Sequence, residues 1–184
     1  MHPIARKISC AGLFLLVSSF CVSQAQNAGK ASADPTGFAA KFSYHLVKLD
    51  GHVLKPFDTA NLNDVKWFAF YYSASWCAPC RAFTPKLVEF YNQFKPQHPH
   101  FELIFVDHDN SADDMLTYMQ SDGMPWPAAR FDDIEGSNAN QYCGSGIPDL
   151  VLVDAGGNVL SDSFRGSAYI GPVHVLEDIK KLVY

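Results

Sequence analysis

The chain has 184 residues, 48% of them apolar and 18% charged, with a formal net charge of −5. That is enough chain for one domain with a proper core and too little for two comfortable ones, and the balance excludes a disordered or membrane-embedded protein. The 14 Lys and Arg residues do not cluster, which argues against a nucleic-acid partner, because phosphate binding needs a basic surface.

The N-terminus reads as a separate object. Arg6 and Lys7 precede an apolar stretch from about Ala11 to Val22, and Ser23-Gln24-Ala25 offers small residues where a signal peptidase cuts. The expectation is an export signal over residues 1–25, cleaved near Ala25. The run is short for a membrane span, so a retained anchor is the lesser alternative. A lipoprotein reading of Cys21 is disfavoured by the bulky Phe20 before it. Cleavage would remove Cys10 and Cys21 and leave Cys77, Cys80 and Cys143, which is no disulfide framework but a pair plus one extra thiol. Residues 26–42, rich in Ala, Ser, Gly and Asn, read as a flexible leader to a domain over 43–184.

Tyr44 to Leu49 alternates as a strand does, Asp50-Gly51 is a turn, and His52 to Leu54 is the expected return strand. Val65 to Tyr72 is a near-continuous apolar run, suited to a strand buried on both faces. After it, Phe83, Leu87, Phe90, Tyr91 and Phe94 recur at helical spacing, predicting a helix from Ala78 to Phe94 with a kink at Pro85. Phe101 to Val106 is a second buried strand, and Ser111 with Asp114 caps a helix from Ala112 to about Gln120. A helical turn is expected over Asn138 to Tyr142. A strand over Leu150 to Val153 turns at Gly156-Gly157-Asn158 into another over Val159 to Phe164. Gly171-Pro172 opens a last helix with an apolar face of Val175, Leu176, Ile179, Leu182 and Val183. The order implies an α/β domain with a mixed central sheet and helices on both faces.

The chemistry sits where the first buried strand meets its helix. Cys77 at a helix N-terminus faces unpaired N–H groups and the positive end of the dipole. That position favours the thiolate and lowers a thiol pKa from about 8.5 to roughly 3.5–7.5. Cys80 lies about one turn on and can close a disulfide with it. Cys77, the more exposed, is the expected nucleophile and Cys80 the resolving thiol. Ala78 and Pro79 separate them, Pro79 presetting a first-turn dihedral at no cost in N–H groups. Trp76 covers one side, and Arg81 favours the thiolate or touches substrate. A zinc site would need a second close pair of ligands, which the chain lacks, so no metal and no cofactor beyond the Cys pair is expected.

The segment Tyr71-Tyr72-Ser73-Ala74-Ser75-Trp76-Cys77-Ala78-Pro79-Cys80-Arg81-Ala82-Phe83-Thr84-Pro85 resembles the active-site segment of the tryparedoxin and nucleoredoxin branch of the thioredoxin superfamily. Asp122 to Trp126 resembles that branch's next signature, and Tyr142 to Pro148 the segment ending in its cis-proline. The similarity spans about residues 43–183. It implies a thioredoxin-like fold, a cis Pro148 beside Cys77, and Ile147 offering backbone groups to a substrate strand.

Two departures stand out. Thioredoxins carry a buried acid six residues before the first Cys, where this chain has Tyr71. Asp107 and Asp109 are candidates for the missing proton acceptor of Cys80, and His108 for a relay, against a plain reading as loop residues. The export signal also sets the chain apart from an intracellular branch. Its electron donor is then expected to be a membrane or periplasmic thiol carrier, and its location the bacterial periplasm. Cys143, five residues before Pro148, is a possible third redox thiol or an inert one. Trp126 reads as packing, with lining of the substrate groove as the alternative.

The sequence thus points to a monomeric thiol–disulfide oxidoreductase that reduces protein or small-molecule disulfides. A thiol oxidase or isomerase of the same fold, and a non-catalytic module whose Cys pair gates a contact, are the competing functions.

Overall fold

The computed structural model describes residues 37–42 and 45–184. The expected export signal and most of the leader lie outside the described residues.

The chain builds a seven-stranded sheet from β1 (Leu46–Asp50), β2 (Val53–Pro56), β3 (Trp67–Ser73), β4 (Phe101–Asp107), β5 (Ala128–Ala129), β6 (Asp149–Asp154) and β7 (Val159–Asp162), in the order β2-β1-β5-β4-β3-β6-β7. β3 runs parallel to β4 and antiparallel to β6, so the sheet is mixed, as expected. A separate two-stranded ribbon of β8 (Phe164–Arg165) and β9 (Ala168–Tyr169) follows. The α-helices are α1 (Ala78–Phe94), α2 (Ala112–Ser121) and α3 (Val173–Leu182).

β3 explains the layering. Every residue of it is buried, and successive side chains point to opposite faces. Trp67, Ala69 and Tyr71 join a core with Phe83, Leu87 and Tyr91 of α1, Met115 and Tyr118 of α2, and Val175 and Ile179 of α3. Phe68, Phe70 and Tyr72 face a second core with Phe38, Phe42, Leu62 and Ala139. Helical segments therefore cover both faces, but unequally. All three α-helices share one face, and short 3-10 helices over Ala39–Phe42, Thr59–Leu62 and Ala139–Tyr142 cover the other.

Two boundaries differ from the sequence expectation. Phe38, Ala39 and Phe42, placed in the flexible leader, are buried, with Phe38 edge-on to Phe68 at 5.2 Å between ring centres. Burying a Phe contributes about 1.5–3 kcal/mol, enough to hold this short segment down. The single strand expected over Val159 to Phe164 is broken at Ser163. The hydroxyl of Ser163 takes the Leu150 N–H at 2.8 Å, and the chain then turns into the β8–β9 ribbon. The helix α1 runs unbroken through Pro85.

Candidate active site

Cys77 is the N-cap of α1, with an extended backbone at φ −81° and ψ 106°. Its Sγ accepts the Cys80 N–H at 3.2 Å and so takes one of the helix's unpaired donors. Pro79 lies in the first turn, where its missing N–H leaves nothing unmet. The two cysteines are joined in a disulfide with their Cα atoms 5.2 Å apart. Cys77 is 5% exposed and Cys80 fully buried, so Cys77 is the more exposed of the two sulfurs.

The Ile147-Pro148 peptide bond is cis, as the resemblance implied. Cys77 Sγ lies 3.8 Å from the Ile147 carbonyl oxygen, and Ile147 packs against both cysteines and Ala74. The Tyr169 hydroxyl donates to the Pro148 carbonyl at 2.8 Å and ties the β8–β9 ribbon to this turn. Between the ribbon, α1 and the start of α3 lies a shallow groove of about 260 Å3, lined by Pro79, Phe83, Pro148, Tyr169 and Val173 among others. Tyr169 and the ribbon were not legible as site elements, because a two-residue strand has no periodicity to read.

On the opposite side, Trp76 is 59% exposed and its indole N–H donates to the His108 carbonyl at 3.1 Å. Asp109 Oδ1 accepts both the backbone N–H and the hydroxyl of Ser75, each at 2.8 Å. Arg81, expected to act on the thiolate or substrate, donates to the Ser75 carbonyl. The turn before Cys77 is thus gripped from both sides by Asp109 and Arg81. The contacts of Asp109 place it as an anchor of the Ser75 turn.

Beneath Cys80, the place of the thioredoxin acid holds hydroxyls. Thr84 Oγ1 lies 2.9 Å from the Cys80 carbonyl, 2.8 Å from the Tyr71 hydroxyl and 2.7 Å from the Tyr118 hydroxyl. A hydroxyl has one proton and two lone pairs. Thr84 must donate to the carbonyl and accept from both tyrosines, and Tyr118 then accepts from Ser73 at 2.9 Å. The network is closed, neutral and satisfied. Burial pushes the Tyr71 and Tyr118 pKa values up, so neither hydroxyl ionises near neutral pH.

Asp107 ends β4 and is 3% exposed, and its Oδ2 accepts the Asp109 N–H at 3.1 Å. Burial and the neighbouring Asp109 push its pKa up to about 8. Burial lowers that of His108, whose Nε2 lies 3.8 Å from Cys143 Sγ. Cys143 is half-buried and free, and burial with Asp149 and Asp162 raises its thiol to about 11. It rests as a thiol at neutral pH. Asp149, directly after the cis-proline and fully buried, accepts the Gly144 N–H at 2.7 Å and is pushed up to about 6 by burial. No signal in the chain marked this residue. Trp126 is fully buried edge-on to Tyr71 and Tyr91, the packing role expected of it. Among the described residues no group of three or more His, Cys, Asp or Glu side chains is placed to hold a metal ion.

A mixed sheet carrying Cys-X-X-Cys at the head of a helix, with a cis-proline against the first sulfur, defines a thioredoxin-fold dithiol protein. Residues 64–159 match the thioredoxin-like family, and the chain belongs to it. It is similar to probable nucleoredoxin 1 of Arabidopsis thaliana, 41% identical over 101 residues, 54% of this chain and 17% of that one. The match thus spans less than a fifth of that relative's length. Tryparedoxin II from C. fasciculata is 34% identical, with a TM-score of 0.56 over 70% of this chain and 87% of that one. A tryparedoxin II complexed with glutathionylspermidine is 32% identical, with a TM-score of 0.59 over 80% and 97% of the two chains. The chain is thioredoxin-like, similar to nucleoredoxins and tryparedoxins, and carries a Cys77–Cys80 disulfide at the head of α1.

Proposed function

We propose that the protein reduces disulfides by dithiol exchange, with exported proteins as its substrates. The observation that carries the exchange is the position of Cys77 Sγ, capping α1 and lying against the carbonyl of Ile147, whose neighbour Pro148 lines an apolar groove together with Pro79.

The steps follow from that geometry. In the dithiol form the Cys77 thiolate is favoured by the Cys80 N–H and the helix terminus. It attacks one sulfur of a substrate disulfide lying in the groove. That S–S bond breaks, and the first substrate sulfur leaves as a thiolate that takes up a proton. The Cys80 thiol loses its proton to solvent, and its sulfur attacks Cys77 Sγ. The second substrate thiolate departs, and the Cys77–Cys80 disulfide remains. Two electrons have passed to the substrate. A dithiol donor, by this reading a membrane or periplasmic carrier, restores the starting state.

Export is supported by Arg6 and Lys7, the apolar run to Val22 and the small residues ending at Ala25. Among the described residues no helix is long and apolar enough to cross a membrane. The glutathionylspermidine held by tryparedoxin II supports small thiol conjugates as a second substrate class.

Trapping tests the exchange. Cys80→Ser is expected to accumulate a mixed disulfide at Cys77 with a protein or glutathione disulfide, and Cys77→Ser to accumulate none. Equal trapping by both variants, or by neither, would overturn the assignment. Fractionation of cells expressing the full chain tests export. N-terminal sequencing of the mature protein should begin at Gln26, and an intact Met1 on protein confined to the cytoplasm would refute that part.

A further inference from the structure

Lys86 is the only charged side chain among the described residues that line the apolar groove of Pro79 and Pro148. It follows Pro79 and Ala82 on one stripe of α1, at helical spacings of three and four, so its ammonium shares a face with the apolar wall. Among the described residues Lys86 has no ion pair and no hydrogen bond. The acids that could neutralise it are engaged elsewhere. Glu89, one turn further along α1, accepts from the Gln93 amide at 3.3 Å. Val173, the first residue of α3, lines the groove, but the α3 acids Glu177 and Asp178 pair with Lys180 and Lys181.

The rest of the groove is apolar and open. Tyr169 and Val173 are 49% and 58% exposed, and the Tyr169 hydroxyl is already engaged with the Pro148 carbonyl. Exposed apolar side chains grouped in this way mark a contact surface. The helix sets its register. From Cys77 past Pro79 to Lys86 the chain climbs about 13 Å at 1.5 Å per residue. An extended segment covers about 3.3 Å per residue, so one whose cysteine meets Cys77 brings a residue about four places away to Lys86. The chain as a whole carries a charge of −5, which disfavours acidic partners at a distance. A preference for acid at this groove is therefore local to Lys86.

We propose that the groove takes an extended polypeptide segment carrying Asp or Glu about four residues from its disulfide cysteine, and that Lys86 selects it. This rests on the exchange at Cys77 argued above. Pro79, Ala82 and Val173 hold the segment by apolar contact, and the Lys86 ammonium donates to its carboxylate. The methylene stem of Lys86 extends the apolar wall toward that charge. An exposed pair of this kind changes affinity a few-fold, weakens with salt, and decides which partner docks. Short thiol conjugates, whose carboxylates lie beside the cysteine, do not reach from Cys77 to Lys86.

The test uses the oxidised full chain and capped nonapeptides with a central Ser in place of the cysteine. They carry Glu, Gln or Lys four residues to each side, so that either chain direction is covered. Binding is read from amide shifts at Ala82, Lys86 and Val173. The Glu peptide should bind at least about threefold tighter than the Gln peptide, and tighter still than the Lys peptide, with the advantage falling in about 0.5 M salt. Lys86→Gln should erase the difference between the Glu and Gln peptides, and Lys86→Glu should favour the Lys peptide. The same peptides with a central cysteine, as mixed disulfides with glutathione, should give kcat/KM values in the same order. A Lys peptide bound as tightly as the Glu peptide, an order unmoved by the two variants, or no binding of any peptide would overturn the proposal. So would equal affinity for a peptide whose Glu residues directly flank the Ser. Turnover with no charge order would overturn the selection and leave the exchange standing, whereas charge order in binding without turnover would overturn the exchange and leave the docking standing.

Discussion

A single oxygen of Asp109 holds Ser75 twice, accepting its N–H and its hydroxyl at 2.8 Å each. Ser75 precedes the exposed Trp76 and the nucleophile by one and two residues, so this carboxylate sets where Cys77 starts its helix. Removing one such bond while leaving a buried partner unmet costs about 1–3 kcal/mol. Asp109→Ala should therefore lower stability by about 2 kcal/mol and reduce kcat/KM for a disulfide substrate about tenfold, because the sulfur is displaced from its attack geometry. Ser75→Ala removes one of the two bonds and should cost less in both. Chemical denaturation and steady-state reduction of a mixed glutathione disulfide measure the pair. Equal effects of the two substitutions would contradict the anchoring role.

The hydroxyl cluster under Cys80 has Thr84 as its hub, since it accepts two tyrosine protons and gives its own to the Cys80 carbonyl. Thr84→Val keeps the shape and orphans both donors. The expected loss is about 2–4 kcal/mol, whereas Tyr71→Phe removes only one spoke and should cost about 1 kcal/mol. Thr84→Ser keeps the hydroxyl and should stay close to the parent. Urea denaturation of the three variants gives the order, and Val no worse than Ser would show the network to be idle.

Asp107 and Asp149 have pKa values of about 8 and 6 against an ordinary 3.8. Between pH 4 and 8 the folded chain thus holds protons that the unfolded chain releases. Stability contributed by the neutral carboxyls is full below pH 4 and is lost as pH rises, first through 6 and then through 8. The slope approaches about 1.4 kcal/mol per pH unit for each group. Asp107→Asn should flatten the curve between pH 6 and 8 and leave the fall between 4 and 6. Urea midpoints across that range test the sign, and a parent midpoint that rises from pH 4 to 8 would refute it.

Cys143, with its thiol raised to about 11, carries almost no thiolate at neutral pH. In the reduced protein at pH 7, iodoacetamide should label Cys77 at least about tenfold faster than Cys143. Mass spectrometry of timed samples reads both rates. Rapid labelling of Cys143 would restore it as a third redox thiol.

How much of this was visible in the chain depends on range. The helix α1 was legible to the residue, because five aromatic and Leu positions recur along one face and the Cys-Ala-Pro-Cys head starts it. The strand β3 was legible from its unbroken apolar run, and the cis bond at Pro148 from resemblance alone. β5 is two alanines with no pattern of its own, held between β1 and β4 by the ladder. The hub at Thr84 joins Tyr71, 13 residues away, to Tyr118, 34 residues away. Asp109 likewise meets Ser75 across 34 residues. No local pattern encodes such meetings, which exist only after the sheet has brought the ends of β3 and β4 together.

The central claim is that Cys77 and Cys80 form a reversible, reducing dithiol pair. The reduction potential of the folded protein, equilibrated against dithiothreitol or glutathione with mass-spectrometric trapping, tests it most directly. The account predicts a single two-electron couple near or below about −250 mV. A potential near −120 to −180 mV, roughly the range of oxidants and isomerases, would contradict the reductase reading, and failure to form a reversible disulfide would contradict the catalytic one altogether.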